Sequence, residues 1–277
     1  MKSRGESLIY LYCVSAEKPK LNEAEGLVDN VCFISYQGLY PVFSRVSPDE
    51  FSEKNLKKNL ADLEWIKTKA CNHEKVIEAV IKNSCLPRAR RRQACVIPFK
   101  LGTLFHSEEN LKAMLKKHKG EFKDTLKWLE GKEEWGLKIY CDGDKLKENL
   151  IQKDKELLDL DRQISAALPG KAFILKKKKA ELLNTIVNKK LNESGQDSFE
   201  RLRQYSISSG INKLLPKEVT ERKDEMILNA VFLINKNKAA DLADAVKEIK
   251  ALYAGWGLSF DCTGPWPPYN FTTIEKA

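Results

Sequence analysis

Gly264-Pro265-Trp266-Pro267-Pro268-Tyr269-Asn270-Phe271, near the end of a chain of 277 residues, sets three prolines among three aromatic side chains. Proline fixes φ and has no backbone donor, so this stretch is neither an ordinary helix nor a central strand. Gly264 can take a positive φ, and the residues before Pro265, Pro267 and Pro268 are pushed to extended conformations. The expectation is a stiff strap carrying Trp266, Tyr269 and Phe271. Immediately before it, Leu258-Ser259-Phe260-Asp261-Cys262 alternates like a half-buried strand. A strand ending in an aromatic strap is a docking feature, either for the protein's own body or for a partner.

Working back from the strap, Ala239 to Ala254 is an amphipathic helix through Leu242, Val246, Ile249 and Tyr253, ended by Gly255. Met226 to Ile234 reads as a central strand and Leu202 to Ile211 as another, with Pro216 between them. From Lys145 the composition shifts to helix formers and charge. Leu150, Leu157 and Ile164 recur every seven residues, which predicts one long helix broken at Pro169-Gly170. A second helix from Lys171 to about Leu191 follows, with Phe173, Ala180, Leu183, Ile186 and Val187 facing inward and Asn192 to Gln196 as a tip or break. An antiparallel helical hairpin buries both seams.

The N-terminal half is mixed. Ser7 to Val14 reads as a buried strand, and Val31 to Tyr36 and Leu39 to Val46 as a hairpin about Gln37-Gly38, with Pro41 at an edge or bulge. Ser47-Pro48-Asp49-Glu50 is a helix start. Leu56, Leu60, Leu63, Val76, Ile77, Val80 and Ile81 form helical faces with a break expected near Asn72. Cys95 to Phe99 is a short apolar run. Ser107 opens a long helix through Leu111, Met114, Leu115, His118, Phe122, Leu126 and Leu129, and Trp135 to Cys141 closes the unit as a strand. The element order predicts an α+β class with helices on one face of a mainly antiparallel sheet. The expected domains are 1–144, an N-terminal α+β domain, and 145–277, a helical hairpin with a second α+β domain and the C-terminal strap. The block Ile97 to Gly102 and the pair Trp135-Gly136 are expected inside.

A hydrophobic content of 42% is enough to fill real cores. No run of about 18 apolar residues occurs and no signal-peptide core follows Met1 to Glu6, so the expected place is the cytoplasm, away from the membrane. The seven cysteines lack C-x-x-C spacing and argue against zinc or iron–sulfur sites. Buried, reduced thiols are expected instead. The three histidines, His73, His106 and His118, sit on different elements without a nucleophile or carboxylate constellation. His73 and Glu74 are adjacent on a helix and point about 100° apart, so a structural role for His73 is favoured. With no phosphate-cradling glycine loop either, the reading is a non-enzyme without cofactor.

The strap resembles the C-terminal signature of the gas vesicle protein F/L family. Further blocks lie in the expected order: Leu8 to Tyr12, Trp65, His73-Glu74, Val96 to Phe105, Glu134 to Lys138 and Asn229 to Ile234. Leu101 departs from the pattern, which more often has Phe before the glycine. The resemblance covers nearly the whole chain. It implies two ferredoxin-like domains, the second modified, joined through the long amphipathic helices. It also implies an accessory or structural protein of gas vesicle assembly that binds the small, very hydrophobic main shell protein and other accessory gas vesicle proteins. Some members of the family are placed on the gas-facing side of the shell.

The formal charge of +9 comes mostly from lysines spread over helical faces, which reads as a solvated surface. The densest cluster is Arg88, Arg90, Arg91 and Arg92. Arginine forks suit carboxylates and phosphates, so the loop is a solvated surface, a contact for an acidic protein, or part of a nucleic-acid-binding ferredoxin-like module. No RNP pattern supports that last alternative. Trp266, Tyr269 and Phe271 have two readings as well: a lock folded back over the groove between the domains, or an anchor for the shell protein.

Overall fold

A computed structural model describes residues 7–21, 31–82 and 94–272. The chain forms two compact units, Met1–Glu133 with Pro267–Ala277, and Glu134–Trp266. The fold is α+β, with helices and two sheets built of antiparallel pairs.

In the first unit the central strand is β1 (Leu8–Ser15). It lies between β3 (Tyr40–Val46) and β4 (Val96–Pro98), with β2 (Val31–Phe33) outside β3. A short β5 (Leu104–Phe105) also pairs with β1. The register sets Tyr10 against Ser44 and Val14 against Ile97, with a bulge between Leu11 and Cys13. The hairpin forms where expected, because Gln37 and Gly38 both take positive φ, 53° and 81°, the geometry that matches strand twist. Pro41 stands opposite Val14 in the β1–β3 ladder, but β2 pairs only with Val42 to Ser44, so Pro41 has a strand partner on one side only. All the neighbours of β1 run antiparallel to it.

Ser47 accepts from the Asp49 amide and starts α1 (Pro48–Phe51) with proline at its first turn. Helices α2 (Glu53–Asn59) and α3 (Leu63–Lys82) follow. The break thus falls at Leu60 to Asp62, not near Asn72, and it leaves Leu60 and Leu63 exposed. The Asp62 side chain accepts from the amides of Glu64 and Trp65 and so competes with helix continuation. Ser107 caps α4 (Glu108–Lys117), and His118, with φ −105° and ψ 19°, separates it from α5 (Lys119–Leu129). The core of the unit gathers Tyr10, Tyr12, Val42, Phe51, Val76, Ile77, Val80 and Val96.

In the second unit β6 (Lys132–Cys141), β7 (Ser208–Ile211), β8 (Glu225–Asn235) and β9 (Leu258–Trp266) are ordered β7-β8-β6-β9. Chain and spatial order are those of a β-α-β-β-α-β unit. The strand expected to close the first unit therefore belongs to the second sheet, pairing with β9 from Glu134↔Trp266 to Cys141↔Leu258. The aromatic strap begins inside β9. Pro265 is accommodated because β9 ends the strand order. Trp135 is half-buried, not interior as expected.

Three helices occupy the first crossover: α6 (Gly143–Lys153), α7 (Lys155–Ala166) and α8 (Pro169–Arg203). The single helix expected before Pro169 is two, since Asp154 takes an extended conformation and caps Glu156 and Leu157. Helix α8 runs 35 residues, straight through the expected break at Asn192 to Gln196 and over the start of the expected strand at Leu202. The short α9 (Lys217–Thr220) and α10 (Ala239–Leu252) complete the unit. Its main core joins Leu137, Ile139, Phe232, Ile234, Leu242, Val246, Ile249 and Phe260. The helical layer has a core of its own from Leu146, Leu150, Leu157 and Val187.

Candidate interaction surfaces

Four of the seven residues singled out from the sequence, Arg88, Arg90, Arg91 and Arg92, lie outside the described residues. The other three part company. Trp266 is 42% exposed at the end of β9, its indole donating to Thr263 Oγ1 at 3.0 Å. Tyr269 and Phe271 form a 3-10 turn and belong to the first unit. Phe271 is buried, and Tyr269 packs against the core around Tyr10 and Val76.

At that core lies the closest approach to a chemical site. His73 Nε2 is 2.9 Å from the Phe99 carbonyl, which can only accept, so this nitrogen carries the proton and donates. Nδ1 then accepts from the Tyr10 hydroxyl at 2.8 Å, and the Tyr10 oxygen in turn faces the Gly102 amide at 3.4 Å. Burial drives the His73 pKa down to about 4 and pushes the Tyr10 hydroxyl well up. Both imidazole nitrogens are engaged by the fold itself, the structural role expected for His73.

Beside this relay, Glu74 Oε2 and the Tyr269 hydroxyl are closed off from solvent without a well-aligned hydrogen bond. Burial raises the Glu74 carboxyl, partly offset by the Tyr269 hydroxyl as its neighbouring donor. Burial also raises the Tyr269 hydroxyl, and the Glu74 charge adds to it. The cluster sets Tyr269 against Glu74 of α3. Among the described residues no group of His, Cys, Asp or Glu could hold a metal ion. Among the described residues six cysteines are free, and of these only Cys13 and Cys141 are buried. Cys71 is exposed, contrary to expectation, on the outer side of α3.

Exposed apolar side chains mark two surfaces that sequence reasoning missed. One follows β7, which among the described residues pairs only with β8. Ile207 and Ile211 are exposed at its two ends, Ile211 to 63%, and Leu214 in the segment that follows and Val219 on α9 are exposed as well. The other is the α7–α8 turn, where Leu168, Phe173 and Ile174 are exposed. Phe173 does not face inward. The half-buried stripe of α8 runs through Ala172, Leu175, Lys179, Leu182, Leu183 and Ile186. Its spacing of three and four residues puts Phe173 and Ile174 on other sides of the helix. Lys179 reaches back to Asp161 of α7 at 2.5 Å.

The fold thus defines a two-sheet α+β protein whose notable surfaces are apolar and whose buried polar groups serve its own packing. The model of the family "Gas vesicle synthesis protein GvpL/GvpF" matches residues 8–273, and the chain belongs to that family. It is 22% identical over 241 residues to gas vesicle protein L of Streptomyces sp. (strain CB03234), covering 86% of this chain and 81% of that one. To gas vesicle protein L1 of Halobacterium salinarum it is 23% identical, over 95% of this chain and 89% of the other. The crystal structure of the gas vesicle protein GvpF from Anabaena sp. PCC7120 superposes with a TM-score of 0.67 at 18% identity, covering 97% of both chains. That of GvpF from Microcystis aeruginosa gives 0.62 at 19%, over 97% of this chain and 99% of the other. Among the described residues no helix is long and apolar enough to cross a membrane.

Proposed function

We propose that this protein is a non-enzymatic accessory factor of gas vesicle assembly that holds the apolar main shell subunit, with other accessory gas vesicle proteins as further partners, in the cytoplasm and at the growing vesicle. The observation that carries this reading is the β7 border, where a sheet edge coincides with exposed Ile207 and Ile211 and is followed in the chain by exposed Leu214 and Val219. An unpaired edge with apolar flanks accepts an extended apolar segment by strand addition, and so keeps that segment from pairing with its own kind. Family membership supplies the assembly context. The engagement of both His73 nitrogens by Tyr10 and Phe99 supports a role without catalysis.

Co-purification with the main shell protein, set against an unrelated hydrophobic protein, tests the proposal. Selective capture that survives high salt is expected, since apolar burial is not weakened by it. An Ile207→Lys/Ile211→Lys variant should lose at least about tenfold in capture, as removal of central apolar anchors does. Equal binding to both proteins would sink the specificity. Steep loss with salt would point instead to phosphate contacts of the nucleic-acid kind.

A further inference from the structure

The tip of the α7–α8 hairpin combines two features that a solvated turn does not need. Leu168, Phe173 and Ile174 are 81%, 73% and 67% exposed, although large apolar side chains at consecutive positions normally find cover. Along this part of α8 the charge has one sign. From Pro169 to Ala180 the sequence holds five lysines and no acid. Lys179 is committed to Asp161. At 100° per residue, Phe173, Lys177, Ile174, Lys178 and Lys171 fall in that order across one side of α8, so apolar and cationic side chains interleave there.

The interleaving decides what fits. A helix that enters a lipid surface presents a broad apolar face with its cations at the margins. Here each apolar group has a lysine beside it, which suits a partner helix carrying carboxylates between its own leucines. We propose that the hairpin tip docks an acidic amphipathic helix of a partner protein. Phe173 and Ile174 enter between its apolar side chains, while Lys171, Lys177 and Lys178 pair with its carboxylates. This surface is separate from the β7 border, and its occupant differs in charge and conformation.

The test uses the full-length protein and fluorescence anisotropy. One labelled peptide of about 20 residues sets leucines and glutamates at helical spacing, and a second replaces every glutamate with glutamine. The acidic peptide is expected to bind at least about tenfold more tightly than the neutral one. Phe173→Ser/Ile174→Ser should weaken it at least about tenfold, and Lys177→Gln/Lys178→Gln should remove the preference between the two peptides. Both variants change exposed positions, so circular dichroism and the melting curve should stay as in the parent. Equal affinity for the two peptides, or unchanged binding by the Phe173/Ile174 variant, overturns the proposal. So does capture of phosphatidylglycerol–phosphatidylcholine vesicles in place of the peptide. The Phe173/Ile174 variant is expected to capture the main shell protein as well as the parent does, and loss of that capture would overturn the assignment of the tip to a separate partner.

Discussion

His73 makes stability depend on pH in a definite direction. Its folded pKa of about 4 lies below the ordinary 6.5, so between these values the unfolded chain binds the extra proton. Stability is therefore present in full above about pH 6.5 and is lost as pH falls toward 4, by roughly 3 kcal/mol at one pKa unit per 1.36 kcal/mol. Urea titrations at pH 7 and pH 4.5 measure it, and His73→Gln should flatten the difference. Gly264 is a second residue whose environment fixes its identity. Its φ is +144°, and an added Cβ would lie 2.9 Å from Trp135 Cδ2 and 3.0 Å from the Glu134 carbonyl. Gly264→Ala should cost about 1–3 kcal/mol, the range for a strained backbone position, read as a lower midpoint in thermal unfolding. Of these two, Gly264 was legible from its place before Pro265. The partners of His73 were not, because Tyr10 and Phe99 come from elements distant in sequence and only the sheet brings them to it.

Elements were legible where local chemistry decides them. Ser47-Pro48 announces α1, Gln37-Gly38 turns the hairpin, and both appear as read. Helix α8 shows where that logic stops. Asn192-Glu193-Ser194-Gly195-Gln196 has the composition of a break, yet Ser194 and Ser198 bond back to the carbonyls of Lys190 and Ser194 inside a continuous helix. Small residues are used there because α8 crosses β8 closely, with the Ile227 carbonyl 3.6 Å from the site of a Gly195 Cβ. That distance is ordinary contact, so Gly195→Ala should be neutral or stabilise by up to about 1 kcal/mol through helix propensity. Gly195→Leu has no room and should destabilise by about 1–3 kcal/mol. Chemical denaturation of the two variants distinguishes close packing from a hidden hinge, which would tolerate both. The exposed tip was misread for a related reason. Apolar Phe173 counts toward a seam by type, whereas the phase of the stripe through Leu175 and Leu182 excludes it.

At the scale of the molecule, the two units differ in how the chain supplies them. The second is one continuous stretch, Glu134–Trp266, whereas the first needs Pro267–Ala277 as well as Met1–Glu133. The sequence division at 144 could not anticipate this, since the pairing of β6 with β9 and the return of the last residues are both long-range. Phe271→Ala removes a buried aromatic from the first unit and should cost about 3 kcal/mol. Hydrogen exchange should then rise at β1 while β8 keeps its protection, and equal loosening of both strands would refute the assignment of Phe271 to the first unit alone. The split also sets an order of events on the ribosome. The middle of the chain emerges complete and can fold at once, while the N-terminal sheet, although made first, waits for Tyr269 and Phe271. A chain interrupted between Trp266 and Tyr269 would carry a finished second unit and an unfinished first one, so closure of the first unit reports that synthesis has passed Phe271.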